Sequence, residues 1–542
     1  MNKIGQYLQQ HVTGEVIESA DIRHAFAADA SIFTLTPSLV LYPRSEQDVR
    51  KAARFIWQLA ERGRIVPITA RGAGTDQSGA AIGSGMIMAF PAHLNRILEL
   101  DAKSGTVVVE PGLNYGTLQQ TLETHGRFLP PYPASAAYST IGGAVANNAG
   151  GEKSLKYGDT RAYVRGLRVV LANGEVIVTE RLSKRELSKK LGSATFEGEI
   201  YRSLDALLEE HKSTVDSLKR HVTKDTAGYD LLDIKHKDGS FDLTPLFVGS
   251  QGTLGIVTEI TLDTEPYNPE TTLLVAGIRD LPALQAAVLE LRQGDTPSAM
   301  EVVDGNLLAA VTTLNPSQLR GLVEAPLSAF SLLVEYDTPG RSQKKTAHKA
   351  AKILAKYTTT MRTETDPERQ AALWRLREAS AMVLAHGQGA ARALPLLDGA
   401  VPAEKLQDLI VGTYDILERN RLPAALWGHA GDGQVHIQPY LDVAQLGDRQ
   451  KAFRLLDEYH RLVISLGGTV SGENGDGRLR APYLEQQYGT EAYGLFRKVK
   501  DIFDPHHTLN PGVKIGVKLD DIKPLMRQQY SLAHLAHHLP RN

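Results

Sequence analysis

The sequence predicts an α+β fold with more than one core, and three features of its 542 residues carry that expectation. The length exceeds what a single core supports, which points to roughly two to four folding units. The first third alternates short β-branched strands, helical stretches and dense glycine turns. After Pro266, Tyr267, Asn268 and Pro269 the style changes: glycine thins out and long helical patterns alternate with strands. A domain boundary is expected there.

In order along the chain, Val40 to Pro43 reads as a strand, and Ser45 as the N-cap of a helix to about Arg62. Val66 to Ala70 is the next strand, followed at once by a glycine loop. Asp101 to Pro111 reads as a hairpin, Tyr115 to His125 as a helix, and Val164 to Thr179 as a hairpin around Asn173 and Gly174. Leu182 to Lys224 is charged and helix-prone, with apolar spacing at Leu204, Leu207 and Leu208. Gly249 to Leu262 returns as glycine turn plus strand. Beyond the boundary, helices are expected over Leu281 to Arg292, Ser342 to Tyr357, Glu368 to Ala385 and Pro402 to Asn420, with a strand at Ser331 to Glu335. Gly468 to Ser471 is of β type.

Three glycine-rich segments suggest a bound ligand. Arg71, Gly72, Ala73, Gly74, Thr75, Asp76, Gln77, Ser78 and Gly79 follow a strand, and closely spaced glycines let consecutive N–H groups turn toward an anion such as a diphosphate. The spacing is neither that of a Walker loop nor that of the Rossmann fingerprint. The second segment, Pro133 to Gly151, carries Ser139, Thr140, Gly142, Gly143, Asn147 and Gly150 with almost no charge, which suits close packing of a large flat ligand against backbone. The third runs from Gly249 to Thr258 and includes Gln251, Gly252, Gly255, Ile256 and Val257. Singly, each segment also describes a cluster of tight turns.

Two late clusters offer metal-ligand chemistry: Trp427 to His436, with His429, Asp432, Gly433 and His436, and Ser471 to Gly477, with Glu473, Asn474 and Asp476. Asp432 and Gly433 suit a two-residue hairpin loop, which would place His429 directly opposite His436. Two imidazoles and the Glu473 carboxylate would leave positions open on a divalent ion. The same residues also describe a tight turn flanked by half-buried histidines.

Composition narrows the class. Lys plus Arg (60) nearly balance Asp plus Glu (62), so no nucleic-acid footprint is expected. The absence of cysteine excludes disulfides, thiolate metal sites, an iron–sulfur cluster within this chain and a cysteinyl cofactor link. No apolar run approaches a membrane span or a signal-peptide core, so a soluble, cytoplasmic protein is expected, with peripheral membrane attachment compatible.

In this order, the motifs resemble the vanillyl-alcohol oxidase and p-cresol methylhydroxylase superfamily, in the branch that holds the D-type subunit of glycolate oxidase, D-lactate dehydrogenase and D-2-hydroxyglutarate dehydrogenase. The resemblance runs from Pro43 to Gly512 and takes in the stretch Lys224 to Leu231, the helix around Trp374 and Arg377, and Leu509 to Gly512 with Asn510. It implies a split FAD-binding domain with an inserted α+β cap: an N-terminal helical segment at 1–35, the FAD domain at 36–265, the cap at 266–470, and a C-terminal return with tail at 471–542. It implies FAD held by the three glycine segments and Asn510. Thr75 stands where some relatives tether the flavin through histidine, so the FAD is expected to be non-covalent.

The resemblance further implies that His429, His436 and Glu473 bind a divalent metal, zinc first, with manganese or iron as alternatives, and that Arg377 binds a substrate carboxylate. Alone, Arg377 also reads as a helix arginine pairing with Glu378 or Glu368. The implied reaction is oxidation of a D-2-hydroxy acid, lactate- or glycolate-like, to the 2-oxo acid by hydride transfer to flavin N5. Electrons would leave to a quinone, an electron-transfer flavoprotein or a separate iron–sulfur subunit, and a homodimer is compatible.

Two departures matter. The family's usual base after the metal-binding glutamate is histidine, and here it is Asn474, an amide that takes no proton; Asp476 and Asp432 are the substitutes nearest in sequence. The stretch Ala393 to Asp398 lacks the lysine that the hydroxyglutarate enzyme uses for its distal carboxylate, which argues against a dicarboxylate substrate. The rivals are a catalytically weak flavin-binding subunit and, from the three metal-type ligands alone, a zinc hydrolase. The tail from Asp520 reads as a remnant connection or a docking segment, with His534, His537 and His538 exposed rather than ligating.

Overall fold

The computed structural model describes residues 3–219, 221–322, 327–385 and 389–533. His534, His537 and His538 lie outside them. Among the described residues the first half holds two larger sheets and a two-stranded one, Arg127–Phe128 with Glu265–Pro266. One of the larger sheets is four-stranded, with Leu39–Tyr42, Met86–Ala89 and Ile68–Arg71 parallel and Glu15–Ile17 antiparallel at one edge. The other is antiparallel, in the order Ile97–Asp101, Thr106–Val109, Ile256–Asp263, Val164–Val170, Val176–Thr179.

Local chemistry sets the helix starts. Ser45 accepts from Asp48 N and opens Glu46–Ala60, which buries Val49, Ala52, Ala53 and Ile56 against the four-stranded sheet. Asn114 caps Tyr115–Thr124, and Thr140 caps Ile141–Asn147 by accepting from Gly143 N. Ser183 and Glu186 form a reciprocal capping box ahead of the excursion that includes Phe196–Glu210.

The second half centres on a seven-stranded antiparallel sheet, in the order Thr358–Glu364, Thr272–Ile278, Phe330–Tyr336, Ala299–Asp304, Ala424–His429, Gln434–Leu441, Arg392–Ala393. Alternate residues feed two cores. Leu273, Val275, Val303 and Trp427 pack with Gly305–Leu314 and Pro367–Ala385, whereas Leu274, Ala276, Val302 and Leu426 join the large core with Leu281–Arg292 and Leu406–Arg419.

The hairpin carrying the two histidines differs from the expected one. Trp427 pairs with His436, and His429 with Gln434, across the four residues 430–433. Ala430–Asp432 form a single 3₁₀ turn, and Gly433 takes the left-handed conformation (φ 68°) while Asp432 does not. The register is therefore two residues from the predicted one. Because strand side chains alternate with period two, a two-residue slip leaves both imidazoles on one face. Their ring centroids lie 5.7 Å apart. The β-type run Gly468 to Ser471 is a single bridge, Thr469 to Ala400, rather than a strand.

The C-terminal part returns to the first half. Leu484–Phe503 packs on Phe196–Glu210, and Leu509 bridges Ile68 in parallel. Asn510, itself left-handed (φ 44°), donates to Ala80 O and Gln251 O and accepts from Thr69 Oγ1. Behind these loops lies a fully buried ion pair, Lys514 Nζ to Asp476 Oδ2 at 2.6 Å. Asp476 also accepts from Gly228 N and Ser471 Oγ. Removing one member of such a pair strands a buried charge, so Lys514→Met is expected to lower unfolding free energy by about 3–5 kcal/mol. Denaturant titration of the variant beside the unaltered chain checks this.

Candidate active site

The three glycine segments converge on one open cleft with about 1960 Å³ of empty space. Arg71, Gly72, Ala73, Gly74, Thr75, Asp76 and Gln77 border it, with Pro133, Ser139, Thr140, Gly142, Gly143, Asn147, Gly150, Gln251, Gly252, Gly255 and Val257. Ser78, Gly79, Ile256 and Asn510 do not. Ser78 is bound behind the loop by Asp76 and Gln251, and a Cβ on Gly79 would strike Phe33. Ile256 points into the core on the face opposite Val257. Asn510 is the clamp described above.

Gln251 ties the segments together. Its Nε2 donates to Ser78 Oγ (3.1 Å) and Asn147 Oδ1 (3.0 Å), and its Oε1 accepts from Gly477 N (2.8 Å). It holds this position at a positive φ of 54°. Asp76 accepts from Ser78 N, Ala80 N and Asn147 Nδ2, which folds the glycine loop back on itself. Arg71 is committed to the backbone: its guanidinium donates to the carbonyls of Phe26, Ala28 and Ala81. Its buried Nε has no hydrogen-bond partner.

The cleft fits a dinucleotide flavin on observations of its own. Ser139 Oγ is buried on its wall with no hydrogen-bond partner. A Cβ on Gly252 would meet only Ala70 Cβ, at 3.9 Å, so the glycine leaves open space where a side chain would intrude. At Gly142, a Cβ would strike Pro111 at 2.6 Å, which shows how closely backbone layers pack beneath the cleft floor.

The same cleft is also bordered by His429, His436, Glu473, Asn474, Arg377, Trp427 and Gln438. His429 Nε2 and His436 Nε2 lie 3.3 and 3.2 Å from Glu473 Oε2. The three ligand atoms fall within 4.8 Å of one another, a donor set of two imidazoles and a carboxylate that suits a divalent ion with open positions.

Two carboxylates that sequence reasoning did not single out as functional orient this set. Glu301, on strand Ala299–Asp304, accepts from Arg377 Nε and meets His429 Nδ1, both at 2.7 Å. Burial raises its pKa, but His429 and Arg377 more than offset that and hold it at about 2. Asp398 lies 3.4 Å from His436 Nδ1 and accepts from Gln434 Nε2, Asn474 N and Asn474 Nδ2. Each histidine thus turns Nδ1 to a buried carboxylate and Nε2 to the shared centre, the arrangement that fixes imidazole orientation at metal sites. For His429, burial lowers the pKa, Glu301 and Glu473 raise it, and the balance is about 9. That proton is one an ion would displace.

Lys224 was another missed residue. Its buried ammonium donates to Glu473 Oε1 and Gly151 O, both at 3.1 Å. Arg377 pairs with Glu301 rather than with Glu378 or Glu368.

Two sequence-based expectations are corrected. Asp476 and Asp432 do not border the cleft: the first is locked to Lys514, and the second is buried against Thr223 Oγ1. The apolar stretch Ala393 to Leu397 is core and brings no basic group to the cleft.

Comparison with known proteins agrees with this layout. Residues 37–180 match the FAD binding domain family and residues 268–513 the FAD linked oxidases, C-terminal domain family. The chain is 31% identical to glycolate oxidase subunit GlcD of Bacillus subtilis (strain 168), over 88% of each protein. It is 30% identical to D-2-hydroxyglutarate dehydrogenase of Escherichia coli (strain K12), over 94% of this chain and 51% of that one. The chain thus spans about half the length of that relative. Its fold is similar to that of p-cresol methylhydroxylase with substrate bound (TM-score 0.68, 16% identity, 96% of this chain and 97% of that one).

If Glu301 sets the His429 tautomer, Glu301→Gln should weaken divalent-ion binding about 10- to 100-fold. Calorimetric zinc titration of the two proteins measures the difference.

Proposed function

This chain belongs to the FAD-linked oxidases, and from that premise we propose that it oxidises a D-2-hydroxy acid, of the lactate or glycolate kind, to the 2-oxo acid. The observation carrying the reading is the sharing of one buried carboxylate, Glu301, by the cation Arg377 and the imidazole His429 in the wall of the FAD-type cleft. An anion-recognising group and a metal-type ligand are thereby held in fixed register.

In this reading the three glycine segments hold non-covalent FAD, which supplies a two-electron acceptor. His429, His436 and Glu473 hold a divalent ion, zinc by its donor set, which supplies a Lewis acid able to lower the pKa of the substrate's 2-hydroxyl. Arg377, its Nε pinned by Glu301 and its Nη1 donating to Ser380 Oγ, presents Nη2 to the substrate carboxylate. Trp427 and Gln438 bound the space beside it.

The hydroxyl proton needs an acceptor. Asn474 is not one, since its amide is held by Asp398 and takes no proton. Glu152 does border the cleft, and its pKa is raised, by burial and by Glu301 nearby, against the opposing influence of Arg377 and His429. We assign the proton to Glu152. The electrons pass to an acceptor outside this cysteine-free chain: a quinone, an electron-transfer flavoprotein or an iron–sulfur protein. No described helix is long and apolar enough to cross a membrane. A hydrolase built on the same three ligands leaves the glycine-lined cleft without an occupant.

Two experiments test the reading. His429→Ala or His436→Ala should lose the ion and most substrate-driven flavin bleaching while the flavin spectrum persists; bleaching insensitive to both substitutions and to chelators would refute metal assistance. Glu152→Gln should slow flavin reduction about 10²- to 10⁴-fold, the usual range for a general base. Adding Asn474→His should restore much of that rate, because a histidine there meets the same Asp398 carboxylate. Stopped-flow reduction of the single and double variants measures both effects.

A further inference from the structure

The segment after Leu519–Ile522 has no part in the reading above, yet it is built into the cofactor cleft. It runs beside residues 32–34 like an added strand. Thr34 N donates to Leu525 O at 2.8 Å, Arg527 N donates to Ile32 O at 2.9 Å, and Phe33 and Met526 form an antiparallel bridge.

Arg527 is buried and its guanidinium spans both chain ends, donating to Phe33 O at 2.8 Å, to Ser531 O at 2.9 Å and to Asp29 O. Its Cζ lies 5.4 Å from the centroid of the Tyr530 ring, and Tyr530 OH donates to Ala30 O at 2.8 Å. This folding brings Tyr530 and Leu532 into the wall of the cleft, together with Ala30. The segment around Ala30 is in turn held by the glycine loop, since Arg71 donates to Ala28 O and Ala81 N donates to Asp29 Oδ2. N-terminal segment, glycine loop and C-terminal segment thus form one hydrogen-bonded wall.

We propose that residues 526–533 are a latch of the FAD site: Tyr530 and Leu532 cover bound cofactor, and Arg527 fastens the segment that carries them. The proposal rests on FAD occupying the cleft, and not on the substrate or the metal. An aromatic ring and a leucine add apolar cover to the ligand. A cofactor behind such cover leaves only after the latch contacts break, so the latch acts on its release rate.

The test uses the FAD-loaded chain and its Tyr530→Ala/Leu532→Ala variant, with release followed by the rise in free-flavin fluorescence after dilution. The variant is expected to release FAD about tenfold faster, equivalent to about 1.4 kcal/mol of lost retention, with the thermal midpoint of the FAD-free protein unchanged. Release within about twofold of the unaltered chain, a difference of about 0.4 kcal/mol, would overturn the latch. Should the substitutions lower the FAD-free midpoint, hydrogen exchange in the unaltered chain decides: slower exchange over 526–533 with FAD bound supports the latch, and equal exchange refutes it. An unaltered chain that takes up no FAD would overturn the cofactor reading itself, and the latch with it.

Discussion

The active site depends on a carboxylate that cannot afford to be alone. Glu301 sits in a strand whose six residues are all buried, where an unpaired charge would cost several kcal/mol. Arg377 and His429 neutralise it from two directions, each at 2.7 Å. The pairing therefore fixes a guanidinium on helix Pro367–Ala385 and an imidazole at the end of strand Ala424–His429 relative to a third element, the strand between. Asp398 does the equivalent for His436, Gln434 and the backbone of Asn474. Preorganisation of this kind is what a site needs if substrate carboxylate and hydroxyl are to be held in one geometry.

A second constraint joins the C-terminal part of the chain to its first half. Gln251, Asn510 and the Asp476–Lys514 pair bind residues more than 200 positions apart in sequence, for example Gln251 with Gly477. Gln251 itself borders the cleft, whereas Asn510 and the Asp476–Lys514 pair do not. The division explains why polar residues close together in one motif have different roles: Glu473 and Asn474 face the cleft, whereas Asp476, two residues on, belongs to the structural knot.

Much of the first half was legible in the sequence because its signals are local. Ser45 caps where expected, the hairpin around Asn173 forms, the one expected over Asp101 to Pro111 forms with its first strand earlier, at Ile97–Asp101, and the glycine segments converge. The histidine hairpin was legible as to face but not register, since the alternation that sets the face is indifferent to a slip of two residues. Glu301, Asp398 and Lys224 escaped because their partners are distant in sequence: Glu301 meets Arg377 and His429, Asp398 meets Gln434, and Lys224 meets Glu473. The available signal was the misfit itself, a glutamate in the buried run Ala299–Asp304, which demands a counter-charge that sequence cannot locate. Asp476 was misread for the converse reason, that nearness in sequence was taken for nearness to the chemistry.

The proposed oxidation requires one cleft to bring flavin, anion-binding arginine and metal-type ligands to bear on a 2-hydroxy acid. Anaerobic mixing of the FAD-loaded, metal-replete chain with a panel of D- and L-2-hydroxy acids tests it most directly, with flavin absorbance and 2-oxo acid followed together. The account predicts that a D-enantiomer bleaches the flavin with one equivalent of 2-oxo acid formed per flavin. A flavin that photoreduces normally but is bleached by no 2-hydroxy acid would contradict it, and would mark the chain as a flavin-binding protein without this catalysis.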